Sequence, residues 1–134
     1  MAIRKEVERE IHDHFGFVPN FYKALPDTAL EQEWSVQRDF ELGETALPNK
    51  TKELIGLAVA AHIKCKYCIY FHTKAAQAFG ATDEELKEAC FMGGMTVQYS
   101  NVVTGAQIDY EQFKRDVDKG VQYMLSRAEQ PSAH

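Results

Sequence analysis

The chain has 134 residues, 45% of them hydrophobic and 26% charged, which is enough to bury one core and ordinary for a soluble globular domain. Its net charge of −5, with no basic block, argues against nucleic acid or an anionic membrane as the main partner. No apolar run reaches about eighteen residues and no charged-then-apolar leader opens the chain, so neither membrane insertion nor secretion is expected, and the expected location is cytoplasmic. Three cysteines, two of them close together, do not make a disulfide framework; in a reducing compartment they point to catalysis or metal binding.

Residues 2–14 place Ile3, Val7 and Ile11 at i, i+4, i+8, an amphipathic helix with His12 and His14 at its C-terminal end. Phe15 to Pro26 is aromatic, with Pro19 able to open a helical turn and its rings expected mainly in the core. Asp27 is placed to cap the next helix, which runs to about Leu42 before Gly43 and carries the only tryptophan, Trp34, as a core or interface anchor. Pro48 or Asn49 opens a central helix. After Glu53 it reads Leu-Ile-Gly-Leu-Ala-Val-Ala-Ala, apolar on every side and therefore expected to be buried, with Gly56 admitting another backbone. A further helix carries Cys65 to Phe79 and closes at Gly80. Ala75, Ala76 and Phe79 continue the face of Cys68 and His72, so the thiols should be partly shielded.

Thr82 and Glu85 form a capping box for the following helix. Within it Gly93-Gly94 costs about 1 kcal/mol per glycine against alanine, which implies close packing or a kink. Cys90 has no base at helical spacing and reads as a buried, inert thiol. Gln98 to Asn101 form a polar patch facing the site or a subunit partner. Asp109 starts the last helix, where Phe113, Val117, Val121, Met124 and Leu125 make an amphipathic face. The tail from about Ala128 to His134 should fray. No segment alternates with period two long enough for a strand, and no repeat or second domain is evident. The expectation is one all-α domain over 1–134, with its chemistry concentrated in 53–72.

That concentration has a geometry. At about 100° per residue, Cys68 and His72 lie roughly 40° apart and one turn apart on a helix, with Cys65 on the same face. The imidazole can then accept a thiol proton or, as imidazolium, stabilise the thiolate. On one unbroken helix Glu53 would lie about 18 Å from Cys65. If two helices instead form an αα-hairpin reversing near His62 and Ile63, Glu53 faces His72 and orients the imidazole. No Gly or Pro marks that reversal.

The pattern Glu53-x11-Cys65-x2-Cys68-x3-His72, with the downstream helix start Gly80-Ala81-Thr82-Asp83-Glu84-Glu85-Leu86, resembles the core of AhpD-like alkylhydroperoxidases and the carboxymuconolactone decarboxylase-like superfamily. The resemblance spans about Phe15 to Tyr123. It implies an AhpD-like helical bundle with a central buried helix and an αα-hairpin carrying the C-x-x-C. It implies a peroxidase cycle in which Cys68 attacks a hydroperoxide, Cys65 resolves the sulfenic acid into a disulfide, and Glu53 and His72 relay the proton. An external dithiol of lipoyl or thioredoxin type would restore the thiols, with no bound cofactor, and members of this superfamily are commonly trimers or hexamers. Where AhpD has a histidine directly before the second cysteine, this chain has Tyr67.

Three other readings stand beside it. One is a metal site from His62, Cys65, Cys68 and His72, a spacing more compressed than structural zinc sites use. Another is a decarboxylase acting on a cyclic lactone acid, whose relatives need no cysteine pair. The last is a non-catalytic assembly or stress-response subunit in which the motif is vestigial, against which four intact motif residues weigh.

Overall fold

A computed structural model describes residues 2–129, and among these the chain forms only helices and their connections. The helices are α1 (Ala2–Phe15), α2 (Asp27–Val36), α3 (Asn49–Ile63), α4 (Lys66–Ala78), α5 (Asp83–Gly105) and α6 (Tyr110–Ala128), with a 3-10 turn at Asn20–Ala24 and a π-helical turn at Gln37–Glu41 that continues α2. Of the tail expected to fray, Ala128 still belongs to α6, and 130–134 lie outside the described residues. The chain divides into two compact units, Met1–Gly93 and Gly94–His134, with the division falling at the glycine pair of α5.

In the first unit the core forms where α1 meets α2. Val7 and Ile11 from α1, Leu30 and Trp34 from α2, and Tyr22 from the 3-10 turn are buried together, and Phe15, Val18 and Leu25 pack around them. Burial of a large apolar side chain contributes about 1.5–3 kcal/mol each. Trp34 also satisfies its indole N–H, which donates to Glu10 Oε2 at 3.0 Å. The aromatic stretch divides its duties: Tyr22 is core, whereas Phe17 and Phe21 are exposed. Asp27 is not the cap of α2. Pro26 occupies that position without a side-chain bond, and Asp27, one residue inside the helix, accepts from Arg4.

The hairpin of α3 and α4 carries the sequence motif. Its reversal uses two non-helical residues, Lys64 and Cys65, with Lys64 in the left-handed region at φ 57°. The Lys64 N–H turns back to Ala61 O and the Cys65 N–H to Ala60 O, at 3.4 and 3.1 Å. This pair of bonds satisfies the end of α3 in the manner of a Schellman cap. Cys65 thus ends one helix and, as N-cap, begins the next. The reversal lies one residue beyond the position expected, and a lysine supplies the backbone conformation usually left to glycine.

Two expectations fail here. The central helix α3 is not buried on every side: Glu53, Leu57 and Ala60 are buried, while Ile55, Val59 and Ile63 on the far face are 51–61% exposed. Cys90 is exposed. None of the described residues of α5 is buried. The capping box of α5 does form, with Thr82 N–H bonded to Glu85 Oε2 and Glu85 N–H to Thr82 Oγ1. Gly93 lies against α3, where a Cβ would approach Ala58 to 3.2 Å; Gly94 faces open space.

In the second unit the end of α5 turns through left-handed Gln107 into α6, whose Asp109 N-cap accepts from Gln112 N–H at 2.7 Å. The apolar face of α6, Phe113 to Leu125, is exposed, as is the polar patch Gln98 to Asn101. Among the described residues no helix is long and apolar enough to cross a membrane.

Lys64 gives the fold a direct test. Glycine there removes the Cβ penalty of about 1–2 kcal/mol, partly offset by backbone entropy, so Lys64→Gly should leave stability equal or raise it slightly. Lys64→Val should lower it by about 1–3 kcal/mol. Denaturant midpoints at constant m-value check both.

Candidate functional site

Cys65 and Cys68 are joined in a disulfide at the start of α4, their Cα atoms 5.3 Å apart. The Cys68 N–H donates to Cys65 Sγ at 3.2 Å. A helix N-terminus favours negative charge, so this N–H stabilises a thiolate on Cys65 once the disulfide is opened. Both residues are half-buried. Cys68 opens into a cleft of about 1110 Å³, which His72 also lines and whose walls include the rings of Phe21, Tyr70 and Phe71.

One turn along α4, His72 Nδ1 lies 2.7 Å from Glu53 Oε2 on α3. The carboxylate accepts, so the Nδ1–H donates and Nε2 remains for exchange with a reacting group. Glu53 has no exposed surface. A carboxylate in that setting requires a partner, and the imidazole supplies it on one oxygen; Glu53 Oε1 has no hydrogen-bond partner among the described residues.

Gly56 makes this pair possible. A Cβ at position 56 would fall 2.5–2.8 Å from three atoms of the His72 ring. The glycine therefore admits a side chain, not the backbone that its place in α3 led us to expect.

Glu41 is a second acid at the site, and the sequence reading missed it. Its Oε1 lies 3.8 Å from His72 Nδ1. It comes from the π-helical turn at the end of α2, which shifts it relative to regular helical register. Such turns recur at functional sites and have no simple sequence signature. Lys52 holds the adjoining segment onto α3, donating to the carbonyls of Phe40 and Gly43 and to Thr45 Oγ1. Asn49 Nδ2 donates to Leu42 O at 3.0 Å.

Hydrogen bonding to Glu53 raises the His72 pKa above its ordinary 6.5, against the opposing effect of burial; the charges of Glu53 and Glu41 act in the same direction as the bond. Burial, then the charge of Glu53, raises Glu41 above its ordinary 4.5.

Among the described residues, Glu41, Glu53 and His72 form the one group of three potential metal ligands, with one ligand atom from each lying within 4.8 Å of the others. His62, Cys65 and Cys68 do not join His72 in such a cluster, so the four-ligand arrangement considered from the sequence is not assembled. The structure thus brings His72 and Glu53 into contact, sets Cys68 on the same cleft, and adds Glu41.

A sequence profile of the carboxymuconolactone decarboxylase family matches residues 32–108, more than half of the chain and all five residues of the site. The chain belongs to this family. The fold is that of AhpD: the alkylhydroperoxidase AhpD core from Rhodospirillum rubrum superposes with a TM-score of 0.72 at 33% identity, covering 84% of this chain and 87% of that one. An uncharacterized protein in the cox locus of Paracoccus denitrificans is 45% identical over 47 residues, which are 35% of this chain and 42% of that protein. The family and the structural relative both carry enzyme names, and this AhpD-like member has the cysteine pair.

The electrostatics of this carboxymuconolactone decarboxylase-family site carry a pH signature. His72 and Glu41 both hold protons more tightly in the folded chain than when unfolded. The His72 contribution is complete below about pH 6.5 and lost as pH rises through its higher folded value. Ionising Glu41 costs further stability as pH rises past its unfolded value toward its folded one. Thermal midpoints should therefore fall from pH 6 to pH 8.5. Gly56→Ala, by displacing the ring, should return the His72 pKa toward 6.5 and flatten the upper part of that fall, as read by imidazole NMR and thermal scans.

Proposed function

We propose that the chain is a thiol-dependent peroxidase working through a Cys65–Cys68 dithiol–disulfide cycle. One observation carries this reading: a disulfide-bonded pair at the start of α4 sits one turn from an imidazole hydrogen-bonded to a fully buried carboxylate. The alkylhydroperoxidase name of the structural relative supports it.

In the reduced protein, the Cys68 thiol gives its proton to His72 Nε2 and the thiolate attacks the nearer peroxide oxygen. The O–O bond breaks, Cys68 becomes a sulfenic acid, and the departing alkoxide takes the proton back from His72 as an alcohol. Glu53 holds the ring in place and stabilises the imidazolium. Cys65, its sulfur facing the Cys68 N–H, attacks the sulfenic sulfur; the disulfide forms and water leaves. An external dithiol of lipoyl or thioredoxin type then reduces the disulfide by exchange and is itself oxidised. No organic cofactor enters the cycle, and its need for a dithiol donor fits the expected cytoplasmic setting.

The family name supports a second reading, decarboxylation of a cyclic lactone acid. His72 and its two carboxyl neighbours would serve that proton chemistry without either sulfur, so turnover surviving in a Cys65→Ser, Cys68→Ser double variant would favour it.

We further propose that the chain is one domain and acts as a homo-oligomer, a trimer or hexamer. The exposed stripe Ile55, Val59 and Ile63 and, separately, the exposed face of α6 supply apolar surface beyond what a monomer normally leaves in water.

Cys68→Ser should abolish peroxide turnover, and Cys65→Ser should permit one oxidation that stalls at the sulfenic acid. Thiol counts before and after one equivalent of peroxide separate these outcomes, and equal residual turnover in both variants would reject the assigned roles. His72→Ala and Glu53→Gln should raise the apparent Cys68 thiol pKa, read as alkylation rate against pH. Light scattering should give a mass that is a multiple of the single chain, and Val59→Glu should reduce it.

A further inference from the structure

Glu53 keeps one oxygen without a donor. Its side chain has no exposed surface, Oε2 is engaged by His72 at 2.7 Å, and Oε1 is the one buried side-chain oxygen or nitrogen among the described residues that lacks a hydrogen-bond partner. His72 has a single Nδ1–H and cannot serve both oxygens. A buried carboxylate oxygen is satisfied by a donor or by a cation. The neighbour on the other side of the ring is no donor but a second carboxylate, with Glu41 Oε1 3.8 Å from the same Nδ1.

These three side chains supply what a divalent cation needs. Imidazole nitrogen and carboxylate oxygen both ligate zinc and its first-row neighbours, at about 2.0–2.2 Å from the ion. Tetrahedral ligands at that radius stand roughly 3.4 Å apart. The two distances at Nδ1, 2.7 and 3.8 Å, bracket that spacing, and one ligand atom from each residue falls within 4.8 Å of the other two. The charge is of the right sign. Two carboxylates beside a neutral imidazole bring two negative charges, which resist each other in a half-buried site until a cation stands between them. Lys52, whose charge also acts on Glu41, has its ammonium bonded to the Phe40 and Gly43 carbonyls and to Thr45 Oγ1. Access is open as well. The side chains of Glu41 and His72 are 26% and 22% exposed, and both residues line the cleft beside Cys68 and a second cavity of about 520 Å³ against Gly56.

We propose that Glu41, Glu53 and His72 form a binding site for a divalent first-row cation such as zinc, with His72 Nδ1 and an oxygen of each glutamate as its three protein ligands. Glu53 Oε1 then completes the hold of its carboxylate on the ion. No sulfur takes part, so the site exists with the disulfide closed. The cation takes the place of the Nδ1 proton. When the ring is neutral no net proton is lost, because the ring hydrogen moves to Nε2. In the relay reading above, Nε2 is the atom that accepts the Cys68 proton, and with the ion in place it carries a hydrogen and cannot accept one. The ion is thus an off-switch for the thiol chemistry. That consequence rests on the peroxidase reading; the binding itself does not.

The test uses the full chain in its disulfide form with Cys90→Ser, which removes the free thiol as a competing ligand. Zinc is titrated against a chromogenic chelator while NMR follows the His72 ring nitrogens. One zinc per chain should bind, and the ring should change from the Nδ1–H to the Nε2–H tautomer. Glu41→Gln should weaken binding about 10-fold or more, since losing a ligand costs at least as much as losing a residue that only orients one. Glu33→Gln, on the same cavity but outside the cluster, should leave binding unchanged. Absence of stoichiometric zinc, a His72 tautomer indifferent to zinc, binding at exposed histidines that survives Glu41→Gln undiminished, or an equal loss in Glu33→Gln would each overturn the site. With the thiols reduced, zinc should inhibit peroxide turnover, and Glu41→Gln should shift that inhibition to higher zinc by the same factor. Equal inhibition in both forms would place the zinc on the thiols and overturn the off-switch. A chain without peroxide turnover would lose the peroxidase reading, while the chelator and NMR measurements still decide the site.

Discussion

A carboxylate with no exposed surface stands between two helices, and the local architecture makes that arrangement tolerable. Glu53 belongs to the inward stripe of α3 with Leu57 and Ala60. In that position an unpaired charge would cost several kcal/mol, so α4 must present a donor at the same level. His72 does so, and three other features follow from the requirement. Gly56 leaves room for the ring. Lys64 closes the reversal in one left-handed residue. Cys65 is thereby forced to the junction, where it ends α3 and caps α4. The disulfide at the mouth of the hairpin and the ion pair inside it are two consequences of one helix-to-helix register.

The same register joins the local chemistry to the wider fold of the first unit. The π-helical turn brings Glu41 toward the hairpin, and Lys52, one residue before Glu53, ties the segment after that turn to α3. A change in the packing of α2 on the α1 core would therefore reach the imidazole through Glu41. Lys52 plays a structural part here, satisfying carbonyls at the end of the π-turn that no helix continues to cover.

Much of this was legible from residue spacing. A base four residues after a cysteine must share its face, and the distance argument that excluded a single helix for Glu53 required a reversal between 53 and 72. Local side-chain chemistry also read correctly at Thr82 with Glu85 and at Asp109, because a cap depends on neighbours within one turn. Three features were not legible, each for a different reason. Glu41 lies in a π-turn, and a period of 3.6 assigns it a direction that the inserted residue changes. Gly56 announced a close approach but not its partner, since a missing Cβ does not say whether backbone or ring will fill the space. The outer stripe of α3 was expected to be buried on apolarity alone, and Cys90 because no base stands at helical spacing from it. Apolarity records surface that prefers to leave water, in this chain or against another one, and does not say which.

The exchange of histidine for tyrosine before the second cysteine gives the carboxyl groups added weight. Tyr67 is 77% exposed and has Lys66 over its ring at 5.2 Å. Without that histidine, His72 is the one imidazole within the motif, and His14 lines the same cleft as Cys68. The proton balance at His72 depends on what surrounds that ring. Glu53 fixes its tautomer from a position closed to solvent, while Glu41 meets it from a position open to the cleft. Peroxide reduction and decarboxylation would use this charge balance differently: the first benefits from a neutral cluster next to a forming thiolate, the second from an acid able to deliver a proton to carbon. The ionisation of a half-buried glutamate that the sequence motif does not contain is thus the property on which the two chemistries would diverge.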